Sequence, residues 1–281
     1  MSIQSPTIAR GMVWCDVPRD AIVVSGPDAE TYLQGQLSQD VGALAVGASA
    51  WTFLLQPTGK VEVLARITRR APDAFLLDTE GGFGTAMAAR LQRFLMRTKA
   101  TIEPLAWQVL AVRNPGPTLV TTSAALVLNA NWHDQRGFDL MGESVEPPLG
   151  ATRVERPAYE RLRIEAGWPA MGAELTADTI PAEAGVVVEA ASFTKGCYTG
   201  QELVARIDSR GGHVPHFLRH VRLNRPARAG DVVEVDGKDA GRLTSVSGDL
   251  ALAYVGRAVE PPAPSSLGVI EAIPGARFTS A

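Results

Sequence analysis

The stretch Phe193-Thr194-Lys195-Gly196-Cys197-Tyr198-Thr199-Gly200-Gln201-Glu202, continued by Leu203-Val204-Ala205-Arg206-Ile207, concentrates more chemistry than any other part of the chain. Thr199 with Glu202 three residues later has the spacing of a capping box, which predicts a helix that starts at Gly200 and turns Leu203 and Ile207 toward a core. Cys197 then sits just ahead of a helix N-terminus, two residues from Lys195. A helix dipole and an ammonium both favour a thiolate, the usual route to a reactive cysteine, which makes Cys197 and Lys195 the candidate catalytic pair. The competing reading is a small residue packed in a tight turn, because free cysteine is also a good core filler. Gly196 and Gly200 on either side of the thiol suit close backbone approach to a ligand or another segment. Glu202 and Arg206 have the spacing of an ordinary helix pair.

Upstream, Ala21 to Ser25 is a strand-sized apolar run. Pro27 follows at a helix start, with Ala29, Leu33 and Leu37 spaced four apart. Ala50 to Leu55, the turn Pro57-Thr58-Gly59-Lys60 and the alternating Val61 to Thr68 predict a hairpin. A strand at Phe75 to Thr79 leads to a second helix over Phe83 to Lys99, with Met87, Leu91, Phe94 and Leu95 on one stripe. Trp107 to Arg113, Thr118 to Thr121, Ala125 to Leu128 and Phe138 to Met141 are short strand candidates. Beyond a linker at 146–150, Pro157 opens a helix carrying Tyr159, Leu162 and Ala166. Strands at Val221 to Leu223, Asp231 to Val235, Gly241 to Val246 and Ala251 to Val255, with Asp236-Gly237 as a turn, predict a small β-barrel. Pro261 to Pro264 is expected in a loop. Strands and helices mix without strict alternation, which favours α+β layers over a doubly wound sheet.

The chain has 281 residues, is 46% hydrophobic and carries a net charge of −3, so it can fill a large core and lacks the basic excess of a dedicated nucleic-acid binder. Cys15 and Cys197 are too few for a disulfide framework, no apolar run is long enough for a membrane helix, and the N-terminus lacks the pattern of a signal peptide. These features imply a cytoplasmic protein with reduced thiols, without membrane or direct nucleic-acid partners. Cys15, without a close basic neighbour, reads as structural. His213, His216 and His220 have helical spacing for a metal, but Pro215 breaks the helix and no cysteine or carboxylate falls inside the cluster, so no metal is assigned. Between Lys195 and Arg228 the local net charge is +5, a strip either solvated or suited to an anionic ligand tail.

Lys195-Gly196-Cys197-Tyr198-Thr199-Gly200-Gln201-Glu202 resembles the signature of the YgfZ family, folate-binding relatives of the glycine-cleavage T-protein. Leu162-Arg163-Ile164-Glu165-Ala166-Gly167, with Ile180-Pro181 downstream, and Tyr32-Leu33-Gln34-Gly35-Gln36-Leu37-Ser38-Gln39-Asp40-Val41 resemble two further family segments. The resemblance covers about residues 20–215 and implies an α+β protein: two ferredoxin-like layers forming a folate-binding domain, residues 1–105 and 106–215, plus a C-terminal β-barrel, residues 216–281. It implies tetrahydrofolate in a central hole, with Glu165 on the pterin, where a carboxylate accepts two parallel hydrogen bonds. The same resemblance extends cofactor contacts to Tyr198, Gly200, Gln201, Glu202 and Arg206. Where the T-protein has its catalytic aspartate, this chain has Val61-Glu62-Val63-Leu64, with Glu62 out of step. The implied function is therefore a tetrahydrofolate-binding accessory protein for iron–sulfur cluster assembly or repair, with client iron–sulfur enzymes that include ones modifying tRNA. The alternatives are a folate-dependent aminomethyltransferase and a folate-binding module without catalysis.

Overall fold

The computed structural model describes residues 11–116 and 126–280. The first part of the chain gives Val13–Asp16 (β1), Arg19–Ser25 (β2), Ala29–Gln36 (α1), Ser49–Leu55 (β3), Val61–Ala71 (β4), Ala74–Glu80 (β5), Gly84–Arg93 (α2) and Thr101–Leu105 (β6). Strands β3-β4-β5-β2-β6 form one sheet, all neighbours antiparallel. Its apolar face takes Leu33 of α1, Leu37 at the C-cap of that helix, and Met87 and Leu91 of α2 against Val24, Leu54, Val63, Phe75 and Leu77. Burial of each such side chain is worth about 1.5–3 kcal/mol, which explains why these two amphipathic helices settle there.

Gln108–Arg113 (β7), Leu126–Asn129 (β8), Gly137–Gly142 (β9) and Thr152–Arg153 (β10) complete a second sheet in the order β10-β1-β7-β9-β8. The N-terminal strand β1 thus pairs with β7, far along the chain, instead of joining β2. Ala21 and Leu76 from the first sheet meet Val109, Leu128 and Met141 from the second and bury the contact between the layers. Arg156–Ala166 (α3), Val187–Ala190 (α4) and Gln201–Ser209 (α5) follow.

His216–Leu223 (β11), Val232–Val235 (β12), Lys238–Ser247 (β13), Leu250–Gly256 (β14), Ala263–Ser265 (β15) and Gly268–Glu271 (β16) make a six-stranded sheet in the order β12-β13-β14-β11-β16-β15. The sheet curls into a nearly closed barrel: Ser266 N–H donates to Glu234 O at 2.8 Å, joining the two edges. Asp236 and Gly237, at φ +52° and +71°, form the tight turn between β12 and β13. The α+β architecture of two sheet layers and a small barrel is the one expected from sequence. No helix among the described residues is long and apolar enough to cross a membrane.

Several local expectations are corrected. Helix α2 ends at Arg93 instead of reaching Lys99; Arg97 adopts φ +64° and Phe94 is 42% exposed, so the apolar stripe stops short. Helix α5 starts at Gln201, and the capping box of Thr199 and Glu202 does not form; Gly200, at φ +83°, is the N-cap residue. Pro264 lies in edge strand β15 instead of a loop, a position where its missing N–H is tolerated. Strand β6, polar and interrupted by Pro104, carries no alternation that would mark it in advance. The candidate at Thr118 to Thr121 lies outside the described residues.

Candidate functional site

The signature loop ahead of α5 is a clasp. Lys195 Nζ donates to the carbonyls of Gln34 at 2.6 Å, Leu37 at 2.7 Å and Gln39 at 2.9 Å, satisfying the open C-terminal end of α1. Burial pushes this lysine down to about 8, while Asp40 works to hold its charge. Its ammonium also lies 5.0 Å from the centre of the Tyr198 ring, whose own hydroxyl is pushed up to about 12 by burial. Thr199 N–H donates to Gly35 O at 3.1 Å. Gln201 Oε1 accepts from Tyr198 N–H at 3.1 Å, which braces the turn ahead of α5 without capping it. Gly200 packs on the β3–β4 turn, where a Cβ would fall 2.5 Å from Gln56 O.

The ammonium of Lys195 is thus spent on α1, and Cys197 lies four residues before α5, separated from it by the Tyr198–Gln201 turn. Cys197 is exposed, whereas Cys15 is buried and burial pushes its thiol up. Glu202 and Arg206 are exposed on α5 and form no ion pair with each other. The three histidines are separated in use: His213 Nδ1 contacts Arg210 O, His216 pairs with Glu183, and buried His220 contacts Ile164 O at 2.7 Å. Among the described residues no group of His, Cys, Asp and Glu is disposed to hold a metal ion. The basic strip is also dispersed, since Arg222 pairs with Glu271, Arg228 with Asp231, and Arg219 lies over Phe217.

A cavity of about 110 Å³ opens where the two sheet layers meet α3. Four aromatic rings, Trp51, Trp132, Tyr159 and Trp168, line it beside charged side chains, with Trp51 and Trp168 5.1 Å apart and Trp132 edge-on to Tyr159 at 5.4 Å. Helix α3 presents Arg156, Tyr159, Glu160 and Arg163 to this space, positions one helical face apart by three or four residues. Glu165 falls on another face of the same helix. It accepts from Arg161 Nε at 2.7 Å, and Arg161 in turn reaches Ser247 O and Asp249 of the barrel, so Glu165 is not among the residues that line the cavity. Neither are Lys195, Cys197, Tyr198, Gly200, Gln201, Glu202 or Arg206.

Beneath the aromatic wall lies a buried ion network that sequence reading missed. Arg66, fully buried, donates to both oxygens of Asp78, at 3.0 and 2.9 Å, and to Asp139 at 2.8 Å. Arg19 adds a bond to Asp78, and Arg113 one to Asp139 at 2.9 Å. Arg113 lies 4.1 Å over the Trp132 ring and donates to Tyr159 Oη, yet its buried Nε has no partner. The available signal was a single charge inside an otherwise apolar strand run, as in Leu64-Ala65-Arg66-Ile67, Leu77-Asp78-Thr79 and Phe138-Asp139-Leu140. Burial pushes the Glu80 carboxyl up at the cavity, against the pull of Arg19 and Arg163.

Leu64 lines the cavity as well. Pairing of Leu54 with Val63 and of Leu55 with Val61 leaves Glu62 in a bulge. Glu62 therefore falls within electrostatic reach of Arg90 of α2 instead of joining Leu64.

No family model matches the chain. It is 30% identical over 231 residues to an uncharacterized protein of Haemophilus influenzae, covering 80% of each. It is 30% identical over 248 residues to the tRNA-modifying protein YgfZ of Yersinia pseudotuberculosis, covering 75% of this chain and 72% of that one. Among solved structures, the glycine cleavage system aminomethyltransferase T of Bartonella henselae superposes with a TM-score of 0.77 at 21% identity, over 96% of this chain and 87% of that one.

Proposed function

The chain belongs to the YgfZ family, and from that membership we propose that it is a tetrahydrofolate-binding accessory protein for the assembly or repair of iron–sulfur clusters, serving enzymes that include ones modifying tRNA. The observation that carries the folate reading is the cavity between the layers. Its aromatic rings offer faces to a flat pterin, and Glu80 and Glu160 offer acceptors for the ring's amino and imino donors. The partnerless Nε of Arg113 is a buried donor awaiting an acceptor. At about 110 Å³ the space is well below the ~300 Å³ and more of a pocket enclosing a whole drug-sized molecule, so it takes the ring system while the glutamate tail leaves through the mouth. When bound, tetrahydrofolate supplies a carrier for one-carbon units. The chain's own residues stack, orient and exclude water.

Cys197 supports the second part of the proposal. Lys195, Thr199 and Gly200 of its motif are engaged in holding α1 and the β3–β4 turn, while the Cys197 thiol stays exposed. Two reduced thiols suit a cytoplasmic setting. Aminomethyl transfer is disfavoured by Leu64, an apolar group at the cavity on the strand where the T-protein places its aspartate. A deletion strain tests the reading: activity of iron–sulfur enzymes should fall and return with the wild-type gene, but not with Cys197→Ser. Full rescue by that variant removes the thiol from the proposal, and calorimetry showing no tetrahydrofolate binding removes the folate.

A further inference from the structure

The loop between β8 and β9 builds the aromatic wall. Asn131 O accepts from Trp51 Nε1 at 3.3 Å, Trp132 itself lines the cavity, and His133 meets Trp168 edge-on with ring centres 5.4 Å apart. His133 adopts φ +50°, a conformation that costs a residue with a side chain about 1–3 kcal/mol and persists only where the surroundings impose it. Its side chain is 1% exposed. On the side away from the cavity, His133 Nδ1 lies 3.4 Å from Glu189 Oε1 on α4, which also accepts from Arg277 at 2.9 Å. His133 Nε2 and Glu189 Oε2 are both buried without partners. The pair therefore carries unused hydrogen-bonding capacity on both members, which a small shift of either side chain could engage.

Helix α4 leads directly to the signature loop. Glu189 O accepts from Gln39 Nε2 at 3.3 Å, Ser192 N–H donates to Ser38 O at 2.9 Å, and Gln39 O receives Lys195 Nζ at 2.9 Å. Cys197 follows two residues later.

We propose that His133 is a positioning residue that couples ligand in the aromatic cavity to the exposed Cys197 loop, through Glu189 and α4. The inference rests on the folate reading above: a ring seated against Trp168 presses on His133, His133 shifts its bond with Glu189, and α4 carries the change to the segment held by Lys195. The shared element is the His133–Glu189 pair, which both sites bias.

The test reads alkylation of Cys197 by iodoacetamide in a Cys15→Ser background, with and without saturating tetrahydrofolate, alongside calorimetry. Wild type is expected to react about fivefold more slowly with ligand bound, within the usual range of coupling between sites. His133→Phe and Glu189→Gln should still bind tetrahydrofolate at saturation but show a ratio near one. His133→Asn, which tolerates positive φ and can donate to Glu189, should restore most of the wild-type ratio. The coupling is overturned if either substituted protein, folded and with ligand bound, keeps the wild-type ratio, if His133→Asn does no better than His133→Phe, or if wild type binds ligand with no change in rate. Absence of tetrahydrofolate binding to wild type by calorimetry instead sinks the folate reading, and this inference with it.

Discussion

Gly59 and Gly200 meet backbone to backbone: a Cβ on Gly59 would fall 2.9 Å from Gly200 O, and one on Gly200 would fall 3.3 Å from Gly59 Cα and 2.8 Å from Leu55 Cβ. Both sit at positive φ, +85° and +83°. The signature loop and the β3–β4 turn therefore close on each other only if neither carries a side chain. Gly200→Ala should destabilise the protein by about 1–3 kcal/mol, the cost of strained backbone at such positions, with the clash adding to it. Denaturant unfolding with an unchanged slope would check this, and a neutral effect would show that the contact relaxes freely.

Lys195→Met leaves the Gln34, Leu37 and Gln39 carbonyls without their donor. A loss of about 1–3 kcal/mol is expected for stranded buried acceptors. Lys195→Arg should not fully rescue it, because a planar guanidinium cannot copy the compact ammonium at three converging carbonyls. Thermal melts of the three proteins decide; equal melting temperatures would mean that Lys195 is free for other chemistry.

The two cysteines should differ in reactivity because one is exposed and the other buried with its thiol pushed up. At neutral pH in the native protein, mass spectrometry after brief iodoacetamide treatment should find Cys197 modified and Cys15 unmodified, with Cys15 reacting only after denaturation. Equal labelling of both in native protein contradicts the assignment.

The cavity makes a prediction that separates the two glutamate-bearing faces of α3. Trp132→Ala should weaken tetrahydrofolate binding about tenfold or more through loss of a stacking face, and tetrahydrofolate should quench tryptophan fluorescence in wild type. Glu165→Gln should bind as wild type does, since Arg161 holds that carboxylate on the barrel side. A tenfold loss in Glu165→Gln would return the pterin contact to Glu165.

Acid should unfold the protein through its buried network. Burial alone would raise the Asp139 carboxyl, but Arg113 and Arg66 outweigh it and hold it below the ordinary range. A depressed carboxylate contributes stability above its unfolded value of about 3.9 and loses it as pH falls through the folded value. Glu80, raised by burial, acts in the opposite sense as pH falls toward about 4.3 and offsets part of the loss. Stability should hold down to about pH 5 and drop below about pH 4. Arg66→Met, which leaves Asp78 only Arg19 and Asp139 only Arg113, should cost about 3 kcal/mol at neutral pH. Urea midpoints across pH give both readings, and a flat profile to pH 3 would rule out the role given to Asp139.

Elements with local signals were legible in the residues alone. Alternation in Val61 to Thr68, the Pro57 to Lys60 turn and Asp236-Gly237 marked hairpins because strand period and turn geometry are properties of a few consecutive residues. The signature motif was visible as a rare cluster, and α3 carried a helical period that already separates Glu160 from Glu165. What those residues face depends on long-range packing. Lys195 reads as a partner for Cys197 when sequence distance stands for space, yet its ammonium goes to carbonyls more than 150 residues away, since burial of three open acceptors outweighs a nearby exposed thiol. The capping box gave way to Gly200 because the β3–β4 turn leaves no room for a side chain there. Arg66, Asp78 and Asp139 are lone charges in largely apolar strands, and sheet packing brings them together so that they compensate one another. The cavity joins residues from 17 to 168 along the chain, and its chemistry exists only where two sheets and one helix face close around it.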